Sequence, residues 1–199
     1  MKPLTTLVSR ALPLPVNDID TDQIIPARFL TVTTREGLGR HLFADLRYRS
    51  DGSEREEFPL NRKEHAGARI LLAGNNFGCG SSREHAAWAL ADFGIRAIVS
   101  SAFADIFRGN ALKNGILPVQ VEPAVLAALQ KGVEVDPTQE YAIDLEAREL
   151  RWAGGTVAFP LDRFAQQCLL HGVDELGYIL RFAEAITSFE LQREGAIPR

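Results

Sequence analysis

The chain predicts an α/β fold that mixes parallel and antiparallel strand pairing. Two observations carry this. In the middle, short apolar runs alternate with longer alanine-rich stretches, strand–helix–strand–helix–strand, which implies parallel strands with right-handed crossovers. In the last third the pattern changes to short alternating runs bounded by glycines, which implies antiparallel hairpins. The 199 residues, 46% of them apolar, suit one domain with a substantial core, spanning 1–199.

Taken in order, the first third reads as irregular, punctuated by Pro13, Pro15 and Pro26 around a polar turn at residues 17–23. A loop elaboration is expected over about 31–65, with residues 47–57 a solvated excursion turning at Asp51-Gly52. Residues 68–74 read as a buried strand and 82–93 as a helix stopped by Gly94. Residues 95–100 give a second strand, 103–114 a helix stopped by Gly115, and 116–121 a third strand. Pro123 then opens a short helix to Lys131, proline being favoured in a first helical turn. Residues 141–145, 149–152 and 156–159 read as antiparallel strands with a turn at Gly154-Gly155. A C-terminal helical segment, about 161–193, is expected to break near Arg181.

A net charge of −4 and a pI near 5.6 argue against a nucleic-acid surface. No signal peptide or membrane-spanning run is read, so a cytoplasmic setting is expected. The two cysteines, Cys79 and Cys168, are far apart and make neither a disulfide framework nor a zinc motif. Two thiolates are also too few for an ordinary iron–sulfur cluster, so any cluster would need ligands from another chain.

The most informative stretch is residues 78–85, GCGSSREH, placed where a strand ends and a helix begins. Glycines let the backbone turn tightly there, and a helix start offers free N–H groups to an anion. Common glycine-rich motifs are excluded. No Gly-Lys-Ser/Thr follows for a P-loop, Gly78-x-Gly80 lacks the third glycine of a dinucleotide turn, and no GxSxG elbow is present. Ser81-x-x-Glu84 also has the form of a capping box. Cys79 beside a helix start, with His85 as base, would suit a thiol nucleophile. His85, followed by Ala86-Ala87-Trp88, reads more simply as a buried histidine. The acidic residues at 18–22 lack the glycine and glutamate of a calcium loop.

Three blocks in register, DTDQIIPARFL at 20–30, NFGCGSSREHA at 76–86 and FADIFRGNALKNG at 103–115, resemble the swivelling domain of the aconitase family. The likeness is to the freestanding form of that domain, the small subunits of isopropylmalate dehydratases, and it runs over essentially the whole chain. The resemblance implies a swivelling β/β/α fold and a large-subunit partner carrying a [4Fe–4S] cluster with one iron open to substrate. No metal or cofactor is then bound by this chain itself. It implies a hydro-lyase, active only with the large subunit, that interconverts 2-isopropylmalate and 3-isopropylmalate in leucine biosynthesis. Alternatives are a sister activity on citraconate, homoaconitate or a similar acid, and a binding module that has lost catalysis. By matched position, Ser81 is the catalytic base, Ser82 a neighbouring hydrogen-bond donor, Arg83 a carboxylate clamp and Asp22 a cleft residue. A further arginine after Asp22 is implied, and Arg35 fits better than Arg28. Residues 28–37 are expected to sense the substrate's side group. Lys113 is either a helix-end charge or a cleft residue.

Overall fold

The computed structural model describes the chain except residues 32–33 and 195–199. Both kinds of strand pairing are present, divided between two four-stranded sheets. The parallel sheet has the order β2 (Ala11–Leu14), β3 (Ile70–Ala73), β4 (Ala97–Ser100) and β5 (Leu117–Gln120). The antiparallel sheet has the order β1 (Thr6–Ser9), β6 (Tyr141–Asp144), β7 (Glu149–Trp152) and β8 (Gly155–Ala158).

The first third is more regular than its prolines suggest. Strands β1 and β2 are separated only by Arg10, yet they join different sheets: Ser9 faces Tyr141 and Ala11 faces Ile70. This strand pair was illegible locally because each strand has only four residues and Pro13 lies inside β2. The fold tolerates Pro13 because β2 is an edge strand, where a missing N–H costs little. Pro118 sits on the opposite edge, in β5, for the same reason.

The parallel sheet is buried on both faces, which is why β3 and β4 read as continuous apolar runs. The period-2 alternation divides their side chains. Ile70, Leu72, Ala97 and Val99 pack against Leu7, Tyr141 and Ile143 of the antiparallel sheet and Leu129 of α5 (Pro123–Val135). Leu71, Ala73 and Ile98 pack on the other side against Ala86 and Leu90 of α3 (Glu84–Phe93) and Phe107 of α4 (Asp105–Lys113). Two short helices, α1 (Thr21–Ile24) and α2 (Ala44–Arg47), complete that second layer through Ile24 and through Phe43 at the α2 N-cap.

Gly94 and Gly115 take left-handed conformations (φ 108° and 75°) at the ends of α3 and α4, as expected of helix-stopping glycines. Helix α5 extends four residues past the expected end at Lys131, because Leu129 and Val133 continue its buried stripe. The C-terminal segment forms α6 (Arg163–His171), α7 (Glu175–Leu180) and α8 (Ala183–Glu194), with the break at residues 181–182. Among the described residues no helix is long and apolar enough to cross a membrane.

The excursion at 47–57 begins differently from expectation. Arg47 is 7% exposed, donates from Nε to Asn61 Oδ1 at 3.1 Å, and lies between the rings of Tyr48 and Phe93. Leu38, Leu42 and Phe43 are likewise buried, so the stretch 38–43 of the elaboration joins the core layer of α3. Gly39 permits the approach: an added Cβ would lie 2.5 Å from the Phe93 backbone nitrogen.

Candidate active site

Backbone hydrogen bonds draw the three sequence blocks together around the glycine turn. Gly78 N donates to Ile19 O at 2.7 Å, Thr21 N to Cys79 O at 2.9 Å, and Thr21 Oγ1 to Ser81 O at 2.9 Å. On the other side Phe77 N donates to Ala102 O at 3.0 Å and Ala104 N to Phe77 O at 3.1 Å. The turn is therefore held between residues 19–21 and 102–104, segments far apart in sequence. Gly78 has φ +78°, and a Cβ there would lie 2.1 Å from Phe107 Cγ, so both backbone shape and space require glycine.

The turn delivers Ser81 and Arg83 to one cavity of about 250 Å³, whose other walls include Thr21, Asp105, Ile106 and Asn110. The Arg83 side chain is only 18% exposed and donates from Nη1 to Asp22 Oδ1. Asp22 thus orients the guanidinium, a function its position in the sequence did not reveal. Ser81 and Ser82 are both exposed beside Arg83.

The expected capping box at Ser81-x-x-Glu84 does not form. Helix α3 begins at Glu84 with Arg83 in the N-cap position, and no side chain caps it. The capping box lies instead at the start of α1, where Asp20 and Gln23 bond reciprocally at 2.7 and 2.9 Å. Ser81 is therefore not spent on capping, and the α3 start lacks a side-chain acceptor of its own. Such a start favours negative charge nearby.

The two candidate arginines diverge. Arg35 reaches α3: its guanidinium lies 3.9 Å from Glu84 Oε1 and 5.2 Å from the Trp88 ring centroid, one residue beyond Arg83. Arg28 turns away and holds Asp45 through two hydrogen bonds of 2.5 and 3.1 Å, on a separate cavity with His41 and Tyr48. Of residues 28–37, Val32 and Thr33 lie outside the described residues. Lys113 stands 4.0 Å from Glu175, at the end of α4 and beside a different cavity, as a helix-end charge would.

The thiol reading is not supported by the electrostatics. Partial burial, then the neighbouring charges of Asp20 and Asp18, push the Cys79 thiol up, away from the thiolate a nucleophile needs. His85 is half-buried rather than enclosed, with its ring 4.6 Å from Trp88.

A thiolate-held cluster does not fit this chain. Cys79 lies in the glycine turn and Cys168 is buried on α6 against a different cavity. Among the described residues no group of three His, Cys, Asp or Glu side chains is placed to hold a metal ion. Asp18 and Asp20, the apparent calcium ligands, are engaged by Asn76 and by the α1 cap.

Residues 1–124 match the family model of the aconitase C-terminal domain. The chain is 52% identical over 191 residues to the 3-isopropylmalate dehydratase small subunit of Chloroflexus aurantiacus, covering 96% of this chain and 95% of that one. It is 53% identical to its counterpart of the same name in Anaeromyxobacter dehalogenans, covering 96% and 98%. The crystal structure of a 3-isopropylmalate dehydratase from Methanocaldococcus jannaschii superposes with a TM-score of 0.66 at 29% identity, covering 93% of this chain and 99% of that one. The layered α/β fold, the three stitched sequence blocks and these near-full-length similarities agree: the chain belongs to the aconitase family, among the small subunits of 3-isopropylmalate dehydratases.

Proposed function

We propose that this chain, joined to a large subunit, interconverts 2-isopropylmalate and 3-isopropylmalate by removing water and adding it back across the alkene. The observation that carries this reading is the shared cavity of Ser81 and Arg83, with Arg83 oriented by Asp22. Elimination must remove a weakly acidic C–H proton next to a carboxylate and release a hydroxide-like group. Ser81 Oγ is the base. It takes the C–H proton as the alkene forms and returns it, to the same or the neighbouring carbon, as water adds back. A serine alkoxide is far too basic to exist unaided at neutral pH. The Arg83 guanidinium and the uncapped start of α3 supply the positive potential that lowers its cost.

Arg83 also binds a substrate carboxylate, since a planar guanidinium offers two parallel donors. Ser82 adds a hydroxyl donor at the same rim. Arg35 is the second carboxylate contact, presented from the 28–37 segment across the first turn of α3. Arg28, already paired with Asp45, is left out of this assignment. Expulsion of the hydroxyl calls for a Lewis acid. Among the described residues no set of His, Cys, Asp and Glu side chains fits one, so we assign the [4Fe–4S] cluster to the large subunit.

The test is reconstitution. The chain alone should show neither turnover nor cluster absorbance, and anaerobic mixing with a cluster-bearing large subunit should give activity on 2-isopropylmalate. Ser81→Ala should leave the complex intact and lower kcat by about two to three orders of magnitude or more. Turnover surviving in that complex would remove Ser81 as base. A panel including citraconate and homoaconitate separates the sister activities.

A further inference from the structure

We propose that Asn110 is a further substrate-binding residue, its side-chain amide donating to a substrate carboxylate beside Arg83; this rests on the reading just given. Ile106, Asn110 and Asn114 follow one another at intervals of four along α4, so they share one face of the helix. The end of that face is tied to the neighbouring helix, since Asn114 Nδ2 donates to Glu84 Oε1 at 3.3 Å. Ile106 and Asn110 therefore face the start of α3, and both line the cavity that holds Ser81 and Arg83.

Asn110 is half-buried, and its backbone carbonyl accepts from Asn114 Nδ2 at 2.8 Å. Its own carboxamide has no hydrogen-bond partner among the described residues. Asparagine is a poor helix former, usually found where its side chain bonds the local backbone. Here it lies within a helix without such a bond and borders the cavity. The cavity also has an electrostatic shortage. Arg83 is already partly neutralised by Asp22, and Asp105 places a carboxylate in the cavity wall. A di-acid entering this space needs donors beyond one guanidinium. A carboxamide supplies them without a charge that would draw Asp22 or Asp105 away.

The test uses the reconstituted complex with 2-isopropylmalate. Asn110→Ala should raise KM about tenfold or more, the worth of a hydrogen bond to a charged group, with kcat within about threefold. Alanine is the better helix former, so the melting temperature of the subunit should stay level or rise. Asn110→Asp, nearly identical in shape, should raise KM further than Asn110→Ala because a carboxylate then faces the substrate's own. If both variants keep KM within about twofold of the parent, the inference fails. It also fails if both lose activity in proportion to a lowered melting temperature, as a purely structural residue would. If the parent complex prefers another hydroxy di-acid, the substrate assignment falls, and the same KM order is expected with that acid. Absence of parent turnover on any such acid overturns both.

Discussion

Arg83 combines two requirements that conflict at most surface positions. In the role proposed for it, it must be fixed and still be available to an anion. Asp22 meets the first by accepting one of its donors, and the cavity meets the second by leaving the rest of the fork beside Ser81. Lysine would keep the charge but not the paired donors, so Arg83→Lys should lower kcat/KM in the reconstituted complex by about 10- to 100-fold. Steady-state kinetics on 2-isopropylmalate measures this. Cys79 makes the opposite point. Its thiol is pushed up by burial and two aspartates, which disfavours the thiolate. Iodoacetamide at neutral pH should therefore label Cys79 more slowly than a free thiol, with the rate rising only toward alkaline pH. Cys79→Ala should keep activity within about threefold. Fast neutral-pH labelling detected by mass spectrometry would contradict the charge arrangement. At this scale the reactive cluster at 78–85 was legible in sequence, because glycines, hydroxyls and a guanidinium are concentrated in eight positions. The partnership of Asp22 with Arg83 was not, since 61 residues separate them.

Among elements, the glycine turn and α4 depend on each other most closely. Phe107 packs edge-on against Phe77 at 5.2 Å and occupies the space a side chain at position 78 would need. Gly78→Ala adds both that clash and a strained positive φ, so it should destabilise the fold by about 2–4 kcal/mol. Urea unfolding of the isolated subunit measures the cost. A change below 0.5 kcal/mol, within the range of ordinary surface substitutions, would mean that the turn relaxes freely. Helix and strand types in the middle of the chain were legible because their apolar periods are long and their ends carry Gly94 and Gly115. The capping expectation failed for an instructive reason. Ser81-x-x-Glu84 and Asp20-x-x-Gln23 both have the form of a box, and only the backbone path decides which residue stands at the N-cap. In the turn, Thr21 engages the Ser81 carbonyl and the helix starts three residues later.

Across the whole molecule, the two sheets meet over a shared apolar layer, and Tyr141 fastens that layer to α5. It is fully buried on β6, and its hydroxyl donates to Leu129 O at 2.8 Å. Burial, then Asp136, push its pKa up from about 10 to about 12. The folded state therefore holds the phenolic proton more tightly than the unfolded chain does. This contribution to stability is complete below pH 10 and is lost as pH rises toward 12. Chemical denaturation between pH 9 and 12 should show that alkaline loss, and Tyr141→Phe should diminish it while costing about 1 kcal/mol at neutral pH. The sequence by itself determined the α/β class, both kinds of strand pairing, the helix stops and the concentration of reactive residue types in the glycine turn, since all of these are written in residues close together along the chain. Only the tertiary structure decided that the strands divide into two sheets at Arg10, that Arg28 is taken up by Asp45, that Asp22 pairs with Arg83, and that Asn110 lines the cavity of Ser81 and Arg83. Those outcomes depend on which distant segments share a core. That choice is made by burial summed over many contacts, and no local pattern records it.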